Sequence, residues 1–123
     1  DAVLVALAQE LASTIRAEDC AARFGGEEFS VLVADCTPTT LQQVAERIRI
    51  AIEGIKLTAD GQDLSITVSI GGRMIESNPG YTSLIFIGDA DKALYRSKSG
   101  GRNRSTIYTQ GLLERAEILR GTK

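Results

Sequence analysis

The apolar residues Leu41, Val44, Ala45, Ile48, Ile52 and Ile55 recur at three- and four-residue steps, the spacing that gathers side chains onto one stripe of an α-helix. Such a helix folds only by laying that stripe on another apolar surface, and the chain offers several. Leu4, Leu7, Ala8, Leu11 and Ile15 repeat the period within 3–15, and Ile87, Ala90, Ala93 and Leu94 are the inward set expected for a third helix over 83–98. Between the helices lie runs with strand character. Residues 21–24 and 27–34 are extended runs separated by Gly25-Gly26, a pair that suits a tight hairpin turn because both positions can take positive φ. The second run is almost continuously apolar past Glu28, which predicts a central strand covered on both faces. Leu64, Ile66, Val68 and Ile70 alternate with Ser65, Thr67 and Ser69, which predicts a strand with one buried face.

Punctuation supports this order of elements. Thr39 or Thr40 is the expected cap of the second helix, and Gly54 with Asp60-Gly61 marks its exit and a turn. Gly71-Gly72 and Asn78-Pro79-Gly80 precede the third helix, and Gly100-Gly101 ends it. A short strand over 105–108 and a further helix over 112–119 complete the expectation. The fold class is therefore α/β, with one domain over 1–108 and a C-terminal helix or linker over 109–123.

Composition narrows the chemistry. Across 123 residues the net charge is −2 and aromatic residues make up 5%, so neither a basic field nor a stacking platform is present for polymeric nucleic acid. The chain contains no histidine, which excludes Ser-His-Asp and Cys-His catalysis and Cys/His zinc sites. Carboxylate, lysine and arginine chemistry remains. Cys20 and Cys36 lie 16 residues apart without metal-ligand spacing, so two buried thiols in a reducing compartment are expected. The apolar runs fall short of a bilayer span and no charged-then-apolar leader is read before Asp1, so a cytoplasmic domain without membrane contact is expected.

The stretch Arg23-Phe24-Gly25-Gly26-Glu27-Glu28-Phe29 places a turn without side chains beside two carboxylates. Magnesium favours carboxylates together with substrate phosphate oxygens, and a glycine turn lets a bulky nucleotide approach the backbone, so the combination suits phosphoryl transfer. Neighbouring strand residues face opposite ways, so Glu27 and Glu28 are expected to differ in role unless the strand is irregular. An exposed hairpin tip with solvated acids is the plainer alternative.

The string Gly-Gly-Glu-Glu-Phe between two strands resembles the signature of the GGDEF family of diguanylate cyclases, in its variant with glutamate third. The resemblance extends from Asp1 to about Tyr108. It includes Val44-Ala45-Glu46-Arg47-Ile48-Arg49, Thr67-Val68-Ser69-Ile70-Gly71, and Asp89-Ala90-Asp91-Lys92-Ala93-Leu94-Tyr95 running on to Gly101-Arg102-Asn103-Arg104. It implies a mixed central sheet flanked by helices, of the palm type that nucleotide cyclases and polymerases share. It also implies condensation of two GTP molecules into cyclic di-GMP, each held by one of two facing domains of a homodimer, with the 3′-hydroxyl of each attacking the α-phosphate of the other. Glu27 would then hold Mg2+ (or Mn2+) and help deprotonate the hydroxyl, with Glu28 as a second catalytic carboxylate. Gly25 and Gly26 would contact the substrate, Lys98 and Arg102 its terminal phosphates, and Asp1 the guanine edge. Arg16 and Asp19, an Arg-x-x-Asp pair ending five residues before the turn signature proper, would form a product-inhibition site with Arg47.

Each assignment has an ordinary alternative. Lys98 and Arg102 also suit compensation of a helix C-terminus, Asp1 a helix cap, and Arg16 with Asp19 a plain salt bridge. The family's Asp-x-Asp-x-Phe-Lys run and a following Asn, which belong upstream of Asp1 on its first strand and helix, are not in this sequence. That run holds the second metal carboxylate, so these residues alone are expected to be catalytically silent and, with a strand partner missing, prone to associate. Two further readings stay open: a cyclic di-GMP receptor without turnover, and a regulatory domain joined to a phosphodiesterase.

Overall fold

A computed structural model describes residues 2–75 and 80–109. Asp1, the Asn78-Pro79 breaker and the helix expected over 112–119 lie outside the described residues. The elements run α1 (Ala2–Thr14), β1 (Cys20–Gly25), β2 (Glu28–Leu32), α2 (Pro38–Glu53), β3 (Leu57–Ala59), β4 (Gln62–Leu64), β5 (Ile70–Gly72), α3 (Ser83–Ser99) and β6 (Ser105–Ile107).

The core forms where α1 and α2 meet. Leu7 and Leu11 of α1 are buried against Val44, Ile48 and Ile52 of α2, and Phe29, Val31, Val33, Ile66, Val68 and Ile70 close over them. The stripe of α2 is thus the one its periodicity predicts. Its start lies earlier than expected. Thr37, not Thr39 or Thr40, is the cap: its Oγ1 accepts from the Thr40 N–H at 3.1 Å, and Pro38 takes the first helical position, where no N–H is needed.

The strands pair in three two-stranded ladders, antiparallel β1–β2 and β3–β4 and parallel β5–β6, so the pairing is mixed as expected but no single sheet joins the described strands. Helix α3 carries the chain from β5 back to β6, a parallel crossover. Two strand expectations are corrected. β2 alternates between exposed and half-buried residues, and Leu32 is 54% exposed, because β1 is its sole hydrogen-bonded neighbour among the described strands. The alternating run 64–70 is not one strand: Ile66, Val68 and Ile70 do face the core, but Leu64 is 41% exposed at the end of the β3–β4 hairpin and residues 65–69 pair with no strand.

Helix α3 differs from its expected stripe in a telling way. Ala93 is buried, yet Ile87 is 41% exposed, and the other buried positions are Asp89 and Ser97. Both polar groups are paired. Asp89 Oδ2 accepts from Arg73 Nε at 3.1 Å, while Ser97 Oγ donates to the Ile70 carbonyl at 2.7 Å and lies 2.7 Å from Thr106 Oγ1. Ser97 so bridges the helix to both β5 and β6. Gly71 allows the close approach: a Cβ there would lie 2.2 Å from the Leu94 nitrogen. Gly71 and Gly72 therefore belong to β5 and do not break it. Cys20 and Cys36 are free thiols as expected, but Cys20 is exposed, at the start of the hairpin.

Candidate functional site at the diglycine hairpin

The hairpin is irregular where its chemistry is concentrated. Cys20 to Arg23 pair with Leu32 to Phe29 in register, then the register shifts and Gly25 pairs with Glu28. The loop residues are consequently Gly26 and Glu27, one position beyond the expected Gly25-Gly26. Both glycines do take positive φ, +148° at Gly25 and +54° at Gly26, conformations that a side chain would strain. A Cβ at either would meet nothing within 4 Å. Packing does not require these glycines; their backbone conformation does.

Arg23 braces the turn. Its Nε and Nη2 both donate to the Gly26 carbonyl, at 3.0 and 2.7 Å, so the loop is held from beneath by a fork. Glu27 sits exposed at the apex and Glu28 exposed as the first residue of β2. The register shift is the irregularity that would let both carboxylates face one site. Beside the turn, a cleft of about 400 Å³ runs between α1 and the hairpin, lined by Leu4, Val5, Ala8, Leu11, Arg23 and Phe29 among others.

Among the described residues no three His, Cys, Asp or Glu side chains converge as a metal cage. Mg2+ is often held by one or two carboxylates with waters and substrate phosphates, so the hairpin acids suit part of such a site and not the whole of it.

Arg16 and Asp19 come together as a lock. Asp19 Oδ1 accepts from the Ala34 N–H at 3.0 Å and from Arg16 Nη2 at 3.2 Å, while Oδ2 accepts from the Arg16 N–H at 3.1 Å and Nε at 3.3 Å. Arg16 Nη2 also donates to the Ala34 carbonyl. The Asp19 side chain is only 1% exposed, and Arg16 reaches Glu18 at 3.0 Å. The guanidinium of Arg16, followed by the Ala34 N–H, holds the Asp19 carboxyl below its usual range, and Asp19 in turn raises Arg16. Arg47 is exposed on α2 and no hydrogen bond or ion pair joins it to this lock. Lys98 is exposed in the last turn of α3, and Arg102 follows the Gly100 cap with φ +62°, its side chain exposed. No hydrogen bond or ion pair among the described residues joins either cation to the hairpin.

Sequence reasoning missed three features. Arg23 has no task that the string assigns it; its i,i+3 spacing to Gly26 across a turn is the available signal. Glu46 and Arg49 form an ion pair that Glu-x-x-Arg on a helix signals, but the motif gives them no further role. Arg73, which pairs with Asp89 and stacks over the rings of Tyr81 and Tyr108 at 5.2 and 4.9 Å, gave no local signal because its partners lie far along the chain.

Comparison with known proteins identifies the family. Residues 1–104 match the family model described as "Diguanylate cyclase, GGDEF domain". The chain belongs to the GGDEF family. It is 36% identical over 113 residues to diguanylate cyclase DosC of Escherichia coli, a match covering 91% of this chain and 24% of that protein. It is 39% identical over 112 residues to diguanylate cyclase A of Treponema denticola, covering 91% of this chain and 30% of the relative. The chain thus spans about a quarter to a third of the length of these curated relatives. Among solved structures, the GGDEF domain of DgcB from Caulobacter crescentus, in complex with c-di-GMP, superposes with a TM-score of 0.78 at 33% identity, covering 86% of this chain and 63% of that one. The α/β fold expected from the sequence is accordingly the palm-type fold of GGDEF domains. No helix of the described residues is long and apolar enough to cross a membrane.

Proposed function

We propose that this chain is the nucleotide-binding domain of a diguanylate cyclase, which joins two GTP molecules into cyclic di-GMP across a two-fold homodimer. The observation that carries this reading is the braced diglycine turn, open on its outer side, with Glu27 at its apex. An open turn lets the ribose and phosphates of a nucleotide lie against backbone, and Glu27 is then within reach of the hydroxyl to be deprotonated and of Mg2+ or Mn2+ held between protein and phosphates. The ion would spread charge building on the phosphates. Glu28 assists from the first rung of β2, Asp1 reads the guanine edge, and Lys98 and Arg102 grip the terminal phosphates. Two copies are required because each holds one of the two reacting nucleotides.

Arg16, Asp19 and Arg47 form the product-inhibition site in this reading, with one refinement. Asp19 already accepts four hydrogen bonds within the chain, so it serves to aim Arg16, while Arg16 and the exposed Arg47 meet the product. Residues 1–108 act as the domain and 109–123 as its link onward.

The test is turnover of GTP by the full-length protein in Mg2+, followed by chromatography of the product. Glu27→Gln keeps the shape of the side chain and is expected to lower the rate about 10²- to 10⁴-fold while GTP still binds. Binding of GTP without any cyclic di-GMP formed by the unaltered protein would refute the cyclase reading and leave the receptor.

A further inference from the structure

The helix motif containing Arg47 leaves two residues without a task, Glu46 and Arg49, and both turn toward the loop after α3. Arg49 donates Nε to Glu46 Oε2 at 3.0 Å and Nη2 to Oε1 at 2.9 Å, a bidentate fork, and its Nη1 donates to Asn103 Oδ1 at 3.0 Å. Asn103 Nδ2 donates to Glu53 Oε2 at 2.6 Å. Ser105 Oγ donates to Glu46 Oε2 at 2.6 Å and accepts from Gln42 Nε2 at 3.0 Å. Positions 42, 46, 49 and 53 form one stripe of α2, so a single helical face holds Asn103 and Ser105.

What that face holds is strained. Arg102 and Asn103 are consecutive residues with φ of +62° and +46°, and such conformations persist only where the surroundings impose them. The Arg102 backbone is pinned as well: its N–H donates to the Ser97 carbonyl at 2.9 Å, and its carbonyl accepts from Arg104 Nε at 3.0 Å. Its side chain, by contrast, is exposed and makes no hydrogen bond or ion pair among the described residues. A strained backbone held from several sides, presenting one uncommitted guanidinium, is the arrangement expected of a cation preset for a ligand.

We propose that Glu46, Arg49 and Asn103 are positioning residues that preset the Arg102 loop, so that this guanidinium meets the terminal phosphates of GTP without first reorganising. The inference rests on the assignment of Arg102 to phosphate and deepens it by giving α2 a part in nucleotide affinity.

The test is calorimetric titration of the full-length protein with a non-hydrolysable GTP analogue and with GMP, which lacks the terminal phosphates. Glu46→Gln and Asn103→Asp are each expected to weaken the triphosphate about tenfold, the lower end for a supporting residue, and to leave GMP unchanged. In an Arg102→Ala background neither is expected to cost anything further. Retained GMP binding reports a folded domain, and Arg49→Lys, which keeps the charge but loses the fork, is the second variant if Glu46→Gln does not fold. Equal weakening of both ligands, or a loss that persists in the Arg102→Ala background, overturns the proposal and reduces the network to scaffolding. If Arg102→Ala weakens the triphosphate but the network variants do not, this inference alone falls. If Arg102→Ala changes nothing, the phosphate assignment falls and takes the inference with it.

Discussion

Asp19 accepts hydrogen bonds from Arg16 and from the Ala34 N–H, and a carboxylate so placed binds its proton more weakly folded than unfolded. Its contribution to stability is therefore complete above the ordinary carboxylate value, about 3.9, and is lost as pH falls through the lower folded value. Glu46, held below its usual range by Arg49 and then by Ser105, acts in the same sense. Thermal melts across the acid range are expected to fall steeply below about pH 4, and Asp19→Asn to flatten that limb while lowering the melting temperature at neutral pH. An acid limb unchanged in the variant would show that the lock is not coupled to folding. The glycines of the turn make a second case at this scale. Gly26→Ala meets no clash but strains a φ of +54°, so a stability loss of about 1–2 kcal/mol is expected in denaturant titration, with a larger loss in GTP affinity. An affinity loss no larger than the stability loss would argue that no nucleotide lies against the turn.

Elements here meet through polar and glycine contacts as much as through apolar ones. Helix α3 sits on β5 at a separation that Gly71 permits and that Ser97 locks through the Ile70 carbonyl. Gly71→Ala would drive its methyl into the backbone of α3, which cannot rotate away as a side chain can. A loss of about 1–3 kcal/mol or more is expected in urea unfolding, whereas Gly72→Ala, which meets the mobile tip of Ile107, is expected to cost less. Equal costs would mean that α3 shifts freely on the strand. The helical periods of α1 and α2 were legible because apolar burial alone organises them. The face of α3 was legible in part: Ala93 is buried and Ala90 and Leu94 pack at Gly71, but Asp89 and Ser97 look solvent-bound until Arg73, Ile70 and Thr106 are brought to them. The run 64–70 misled for a related reason: alternation reports which side chains face inward, and does not report a hydrogen-bonded neighbour.

For the molecule as a whole, the β1–β2 ladder presents an open flank. Leu32 is 54% exposed, and no third described strand pairs with β1 or β2. Uncovered strand edges and faces promote self-association. Sedimentation of the 123-residue chain is expected to show concentration-dependent association that Leu32→Lys reduces; a monomer at all concentrations would show that the flank is already covered. Membership of the GGDEF family was legible in one local string, Gly25 to Phe29, because a turn, two acids and a strand are specified by adjacent residues. The longer-range contacts were not, since Arg16 and Ala34, or Arg49 and Asn103, are joined by folding alone.

By itself the sequence determined the helices with clean apolar stripes, the hairpin with its positive-φ glycines, and the residue types available for catalysis. These follow from local sterics and from burial, which act over a few residues at a time. Tertiary structure alone decided that the turn sits one residue later than its glycines suggest, that Asp19 faces inward to hold Arg16, and that Arg49 of α2 reaches across to Asn103. A polar side chain's role depends on which partner satisfies it, and that partner is chosen by the packing of the whole chain.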